Sequence, residues 1–386
     1  MYPNAVKQTF KTHFGDAPSI IVRAPGRINL IGEHTDYNGG YVMPAAINNA
    51  LYFAVSVRKD TECRFIAHDI SEFFNIDLNN IEKSQTHQWA NYLMGVLVEI
   101  NHIKPHLLRG INVVFGGDLP SGGGVSSSAA MGNGIGFAVN ELFNLHLSRI
   151  DLLKISQRSE NNFVGMKCGI MDMFASMMGK ENAVIHLDCN SLKYQYIPFN
   201  TLDYQLVLCN TTVKHTLLDS EYNTRRAECE EAVAILQKQT PSVKMLSDVK
   251  MSLLNKHKTA LRAVVFKRCH YVISEISRVK KACQALKCND FKALGALMFQ
   301  THEGLQHDYQ VSCKELDFLV DKARHINGVL GARMMGGGFG GCTINLVKTD
   351  KVAAFIEEMK KAYQSAYNIA LPCHVVTPKN GVEIMI

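Results

Sequence analysis

The sequence predicts a two-domain α/β (α+β) protein, and three observations carry that prediction. At 386 residues the chain is too long for one compact core. In its first half, strand-length apolar runs are interleaved with helix-length amphipathic ones. After about residue 205 the pattern shifts to long helices with charged outer faces. A boundary near residue 200 follows, dividing the chain into 1–200 and 201–386.

Ser19 to Arg23 reads as a short strand leading into a polar loop, and Tyr41 to Asn48 and Leu51 to Arg58 as strands after it. Trp89 to Ile100 carries Tyr92, Leu93, Val96, Leu97 and Ile100 at helical spacing. Ile111 to Phe115 is a strand, ended by Gly116 and Gly117. Ala129 to Leu145 reads as a helix in spite of Gly132, Gly134 and Gly136. Each interior glycine costs about 1 kcal/mol against alanine, so close packing on a neighbour is the expected reason for them. Leu152 to Asn162 and Gly169 to Met178 read as helices, and Ala183 to Leu187 and Tyr204 to Cys209 as strands. Beyond the boundary, Ser220 to Gln237 and Leu261 to Leu286 are long helical stretches. Strands at Gly331 to Met335, Cys342 to Val347 and His374 to Val376, with a helix at Lys351 to Ser365, end the chain.

Composition narrows the function. A hydrophobic share of 47% with 20% charged residues is that of an ordinary globular protein. The formal charge of +6 is mild, and no Lys/Arg block resembles a nucleic-acid stripe. Eleven cysteines without a CxxC pair argue against a disulfide framework and a zinc site, and for reduced thiols in a cytoplasmic protein. Met1 to Gly15 alternates polar and apolar residues and lacks the apolar core of a signal peptide. No apolar run approaches the ~18 residues that span a bilayer.

Three motifs carry chemistry. Gly26 to Gly40 ends an apolar run with Arg27, Glu33, His34, Asp36 and Tyr37 bracketed by glycines. Carboxylates with an arginine on a tight turn suit a ligand rich in hydroxyls. Leu119 to Ala130 includes Gly122, Gly123, Gly124, Ser126, Ser127 and Ser128 between a strand and a helix. Backbone N–H groups at such a helix start form an anion site, and the serines add hydroxyls for phosphate oxygens or magnesium. The loop is neither a Walker A loop nor a dinucleotide fingerprint. Gly336 to Gly341, five glycines in six positions, lets backbone approach a partner closely. Between the second and third motifs, Glu160 and Asp172 are two acids on mostly apolar segments, suited to holding a metal and acting as a base.

These motifs, in this order, resemble those of the GHMP kinases, and within them the galactokinase family. Arg27 to Gly40 is similar to the galactokinase signature, Ser121 to Ala130 to the family's phosphate loop, and Met335 to Gly341 to its third motif. Gln88 to Tyr92, Cys168 to Asp172 and Asp219 to Tyr222 match further stretches. The resemblance implies the two-domain GHMP kinase fold with an active site in the interdomain cleft. It implies transfer of the γ-phosphate of ATP to the anomeric hydroxyl of galactose, with Mg²⁺, by a cytoplasmic monomer of the galactose-utilisation route that binds neither nucleic acid nor membrane.

Carried over by position, Asp172 is the base or orienting carboxylate and Arg27 stabilises charge between hydroxyl and γ-phosphate. Glu33, His34, Asp36, Gly169 and Tyr222 contact the other hydroxyls. Gly122 to Ser127 cradle phosphates, Ser128 and Glu160 are magnesium ligands, and Trp89 lines the adenine pocket. Departures are Gly132, where the family commonly carries Glu, Val125 for Leu, Lys214 for Arg, and the ending Asn380 to Ile386. The alternatives are a related kinase for N-acetylgalactosamine or L-arabinose, and a non-catalytic galactose and ATP sensor.

Overall fold

The computed structural model describes residues 2–120, 122–199, 202–214 and 218–385, with only the backbone of Lys214 and of residues 218–220. Ser121 and the Lys214 side chain therefore lie outside the described residues. The chain opens with helix α1 (Tyr2–Phe14). Val6 and Phe10, one turn apart, bury against the back of the first sheet.

That sheet is built from β1 (Ile20–Asn29), β3 (Pro44–Val57), β4 (Glu62–Ala67), β5 (Glu72–Asp77), β6 (Ile111–Gly117) and β13 (Glu383–Ile384), in the order β13-β1-β3-β6-β4-β5. Its pairs are antiparallel except β4 with β6. The two strands expected within residues 41–58 are in fact one long strand, β3, preceded by the short β2 (Tyr41–Val42). Asn48 and Asn49 do not break it, because Asn48 pairs with the returning C-terminal segment at Thr377.

Helices α2 (Gln88–Ile103), α3 (Ser127–Leu142), α4 (Arg149–Arg158) and α5 (Met171–Met178) close the other face over a continuous apolar core. The α3 glycines pack as expected. A Cβ at Gly134 would overlap the Phe53 ring, and one at Gly132 the Ser156 hydroxyl. A capping box at Ser148 and Asp151 fixes the start of α4. That helix stops at Arg158, earlier than expected, and widens into a π-type turn, Ser159–Val164, which carries Glu160.

The second half centres on a four-stranded antiparallel sheet, β10-β11-β9-β12, from β9 (Tyr204–Lys214), β10 (Val329–Met334), β11 (Gly340–Lys348) and β12 (Cys373–Val376). A small sheet of β2, β7 (Ala183–Asp188) and β8 (Tyr194–Pro198) bridges toward it. Helices α6 (Leu218–Gln239), α7 (Met251–Lys256), α8 (Ala263–Lys287), α9 (Phe291–Glu303), α10 (Lys314–Arg324) and α11 (Val352–Tyr367) surround these sheets. One apolar cluster joins Ile28, Leu30 and Met43 to Leu206, Leu208 and Ile344, so the two halves share buried surface. After β12 the chain crosses back, and β13 pairs with β1 in the first sheet. Among the described residues no helix is long and apolar enough to cross a membrane.

Candidate active site

Arg27 lies on β1 itself, not in the loop after it. A register shift between Pro25 and Arg27 against β3 reorients the strand's last residues, and the Arg27 N–H donates to the Val125 carbonyl at 3.0 Å. The buried guanidinium grips Asp172 with both edges, Nε to Oδ1 at 2.7 Å and Nη2 to Oδ2 at 2.8 Å. Its remaining arm, Nη1, donates to the Gly124 carbonyl at 2.5 Å. Asp172 sits in the first turn of α5, where the helix dipole favours a carboxylate. Ser126 donates its hydroxyl to Asp172 Oδ2 from a left-handed backbone (φ 56°) immediately before α3. One arginine thus binds the mid-chain acid to the glycine–serine loop, in bidentate geometry that a lysine could not reproduce.

Beside this pair is a pocket of about 50 Å³ whose wall includes Glu33, His34, Asp36, Gly169 and Tyr222. Burial, then the Asp172 charge, pushes the Asp36 carboxyl up to about 7. Gly169 is required by proximity, since a Cβ there would overlap the Asp36 carboxylate. Burial holds His34 neutral, lowering its pKa to about 3. Its Nδ1 meets the Tyr37 hydroxyl at 2.8 Å, and that hydroxyl meets Tyr309 at 2.8 Å. Tyr222, from α6, tilts over the His34 ring with centroids 5.4 Å apart. Glu33 is 1% exposed, and its Oε1 accepts from Arg333 Nη1 at 3.1 Å and from the Gly336 N–H at 2.8 Å.

A larger cleft of about 330 Å³ adjoins the first and shares Arg27, Cys168, Asp172, Tyr222, Gly336 and Gly337 with it. Gly122, Gly123, Gly124, Ser126, Ser127, Ser128 and Glu160 line it. All three motifs therefore converge, the third contributing wall to both cavities. Trp89 is not among the residues that line this cleft. Its indole N–H donates to Glu72 at 2.6 Å and its ring packs on Phe115, while Tyr92, one turn further along α2, faces the cleft. No group of three or more His, Cys, Asp or Glu side chains suited to a metal occurs among the described residues. Ser128 and Glu160 do present a hydroxyl and a carboxylate to the same cleft, a hard-oxygen donor set suited to Mg²⁺, which takes few protein ligands beside substrate phosphates.

Arg333, Tyr309 and Tyr92 were not singled out as site residues from the sequence, whereas Tyr37 stands in the first motif. For Arg333 a signal existed: a lone cation inside an apolar strand, directly before the glycine motif. The aromatic residues carry no such mark, because tyrosines at helical spacing read equally as core.

Known proteins resemble the chain along its whole length. The galactokinase galactose-binding signature matches residues 8–57, and the GHMP kinase N-terminal and C-terminal domains match 91–180 and 279–365. A galactokinase of Clostridium beijerinckii is 39% identical over 98% of both chains, and one of Lactobacillus helveticus 42% identical over 89% of both. The crystal structure of Lactococcus lactis galactokinase complexed with galactose superimposes with a TM-score of 0.94 at 34% identity, covering 98% of this chain and 99% of that one. A mevalonate kinase shares the fold, with a TM-score of 0.63 at 19% identity. With relatives of that identity over nearly all of its length, the chain belongs to the galactokinase family of the GHMP kinases, and is an ATP-dependent sugar kinase.

Proposed function

We propose that the enzyme transfers the γ-phosphate of ATP to the anomeric hydroxyl of α-D-galactose, releasing galactose 1-phosphate and ADP. The observation that carries this reading is the Arg27–Asp172 pair, standing where the acid-lined pocket meets the glycine–serine cleft. Phosphoryl transfer asks a protein mainly for alignment and charge neutralisation. A hexose in the smaller cavity would present its anomeric hydroxyl to Asp172, which accepts the proton as the oxygen attacks phosphorus. Arg27 then faces both the nucleophile and the γ-phosphate oxygens. Glu33, His34, Asp36, Tyr222 and the Gly169 backbone read the remaining hydroxyls. An epimer that leaves one buried acceptor unpaired loses roughly 1–3 kcal/mol of binding.

The triphosphate lies along Gly122 to Ser127, with the start of α3 supplying N–H donors. Ser128 and Glu160 would hold Mg²⁺, which neutralises phosphate charge when bound. On this reading the enzyme works in the cytoplasm as a monomer, in keeping with eleven free thiols. ADP release measured across galactose, N-acetylgalactosamine, L-arabinose and glucose, with and without Mg²⁺, tests it. Galactose should be turned over most efficiently. A clear preference for another sugar removes the galactose assignment, and turnover of none removes the reaction.

A further inference from the structure

Arg333 is the largest fully buried side chain described, and it lines neither cavity. Burying a guanidinium is costly unless its donors are satisfied and its charge is paired. Each donor here has an acceptor that bears on the site. Nε donates to the Leu30 carbonyl at 3.0 Å, Nη1 to Glu33 Oε1 at 3.1 Å and to the Met334 carbonyl at 2.7 Å, and Nη2 to the Asn29 carbonyl. Glu33 is its carboxylate partner, and the same Glu33 oxygen takes the Gly336 N–H.

These contacts cross the molecule. Arg333 belongs to β10 of the second sheet, whereas Asn29 ends β1 of the first, two residues after Arg27, and Leu30 follows it. Glu33 stands in the acidic turn, and Gly336 opens the glycine loop that lines both cavities. A single guanidinium therefore sets where the Glu33 carboxylate sits relative to the Arg27–Asp172 pair. Glu33, Arg27 and Asp172 all line the smaller cavity.

We propose that Arg333 is a positioning residue for sugar recognition: from beneath the pocket, it aims Glu33 at the substrate and fixes the glycine loop against it. The inference deepens the galactose reading and rests on it. A lysine at 333 keeps the charge but has one donor centre where the guanidinium has three, so it cannot hold β1, Glu33 and Met334 at once. Glu33 is then free to turn, and the sugar loses its acceptor, while the nucleotide keeps the serine loop and the start of α3.

The test is steady-state kinetics with both substrates varied, plus thermal melting, on wild type, Arg333→Lys, Glu33→Gln and their double variant. Arg333→Lys is expected to raise the KM for galactose at least tenfold, with the KM for ATP within about threefold of wild type. The double variant should be little worse than the poorer single variant, because one residue acts through the other. Arg333→Gln combined with Glu33→Gln leaves no buried charge unpaired, and keeps the test open if the lysine variant does not fold. That neutral pair should still show the raised galactose KM. Galactose and ATP constants moving in parallel, additive effects of the two single changes, or a lowered melting temperature with unchanged constants overturns the proposal. Wild type that fails to phosphorylate galactose overturns the substrate reading instead, and that arm is read first.

Discussion

At the scale of single residues, Asp172 and Asp36 have different environments and so different expected consequences. Asp172 is held by three donors, two of them from Arg27. Asp172→Asn keeps the shape and loses the proton acceptor, so turnover should fall by about 10²–10⁴-fold. Nucleotide affinity and melting temperature should stay near wild type, and a variant of wild-type turnover would remove Asp172 from the mechanism. Asp36, pushed up to about 7 by burial and by the neighbouring Asp172 charge, gives the enzyme a pH dependence. Below that value the carboxyl is protonated and must donate, and above it the carboxylate accepts from a sugar hydroxyl. The galactose KM should therefore fall as pH rises from 6 to 8, and Asp36→Asn should flatten that profile. For the sugar-free protein the sign is opposite. A carboxyl whose folded pKa lies above its unfolded one favours the fold less as pH rises between the two values. A galactose KM flat across that range in wild type would refute the hydroxyl-accepting role of Asp36.

At the scale of elements, legibility followed how local the cause was. The glycine–serine loop and the helix after it were readable because turn and cap chemistry is written in adjacent letters. The same holds for the acidic turn. The start of α1, the fusion of two expected strands into β3 and the early end of α4 were not readable. For β3 the cause is a partner far along the chain, since Asn48 pairs with Thr377. Tertiary context also decides Gly132. The family commonly carries glutamate at this position, an acid able to support a metal, yet Gly132 does not line the phosphate cleft. It faces Ser156 of α4 and Val96 of α2. Gly132→Glu should therefore lower stability by about 1–3 kcal/mol through overpacking, without improving turnover. Ser156→Gly in the same chain should recover part of that loss. A more active Gly132→Glu enzyme with unchanged melting would refute the packing account and restore the metal-support one.

At the scale of the whole molecule, the two halves are joined twice: through the shared core beside the site, and through the last residues of the chain. After β12, the tail crosses to the first sheet by a run of backbone bonds. Asn48 donates to Thr377, Lys379 to Ala46, Gly381 to Gly179, Val382 to Ser176 and Met385 to Ile21, each between 2.8 and 3.1 Å. Val382 is buried in the first core, and Arg23 of β1 donates to the Asn380 carbonyl at 3.1 Å. The tail thus braces β1, the strand that carries Arg27 and ends at Asn29, whose carbonyl Arg333 grips. A division near residue 200 follows the chain, but this brace runs against it. Ending the chain after Val376 would expose a buried Val382 site worth roughly 1.5–3 kcal/mol and free the edge of β1 for water. The truncated enzyme should melt several degrees lower, in two calorimetric steps where the full chain gives one. The earlier step should track loss of turnover, because Arg27 and Asp172 both belong to the half that the tail supports. A single transition at the wild-type temperature would mean that the shared core alone couples the halves.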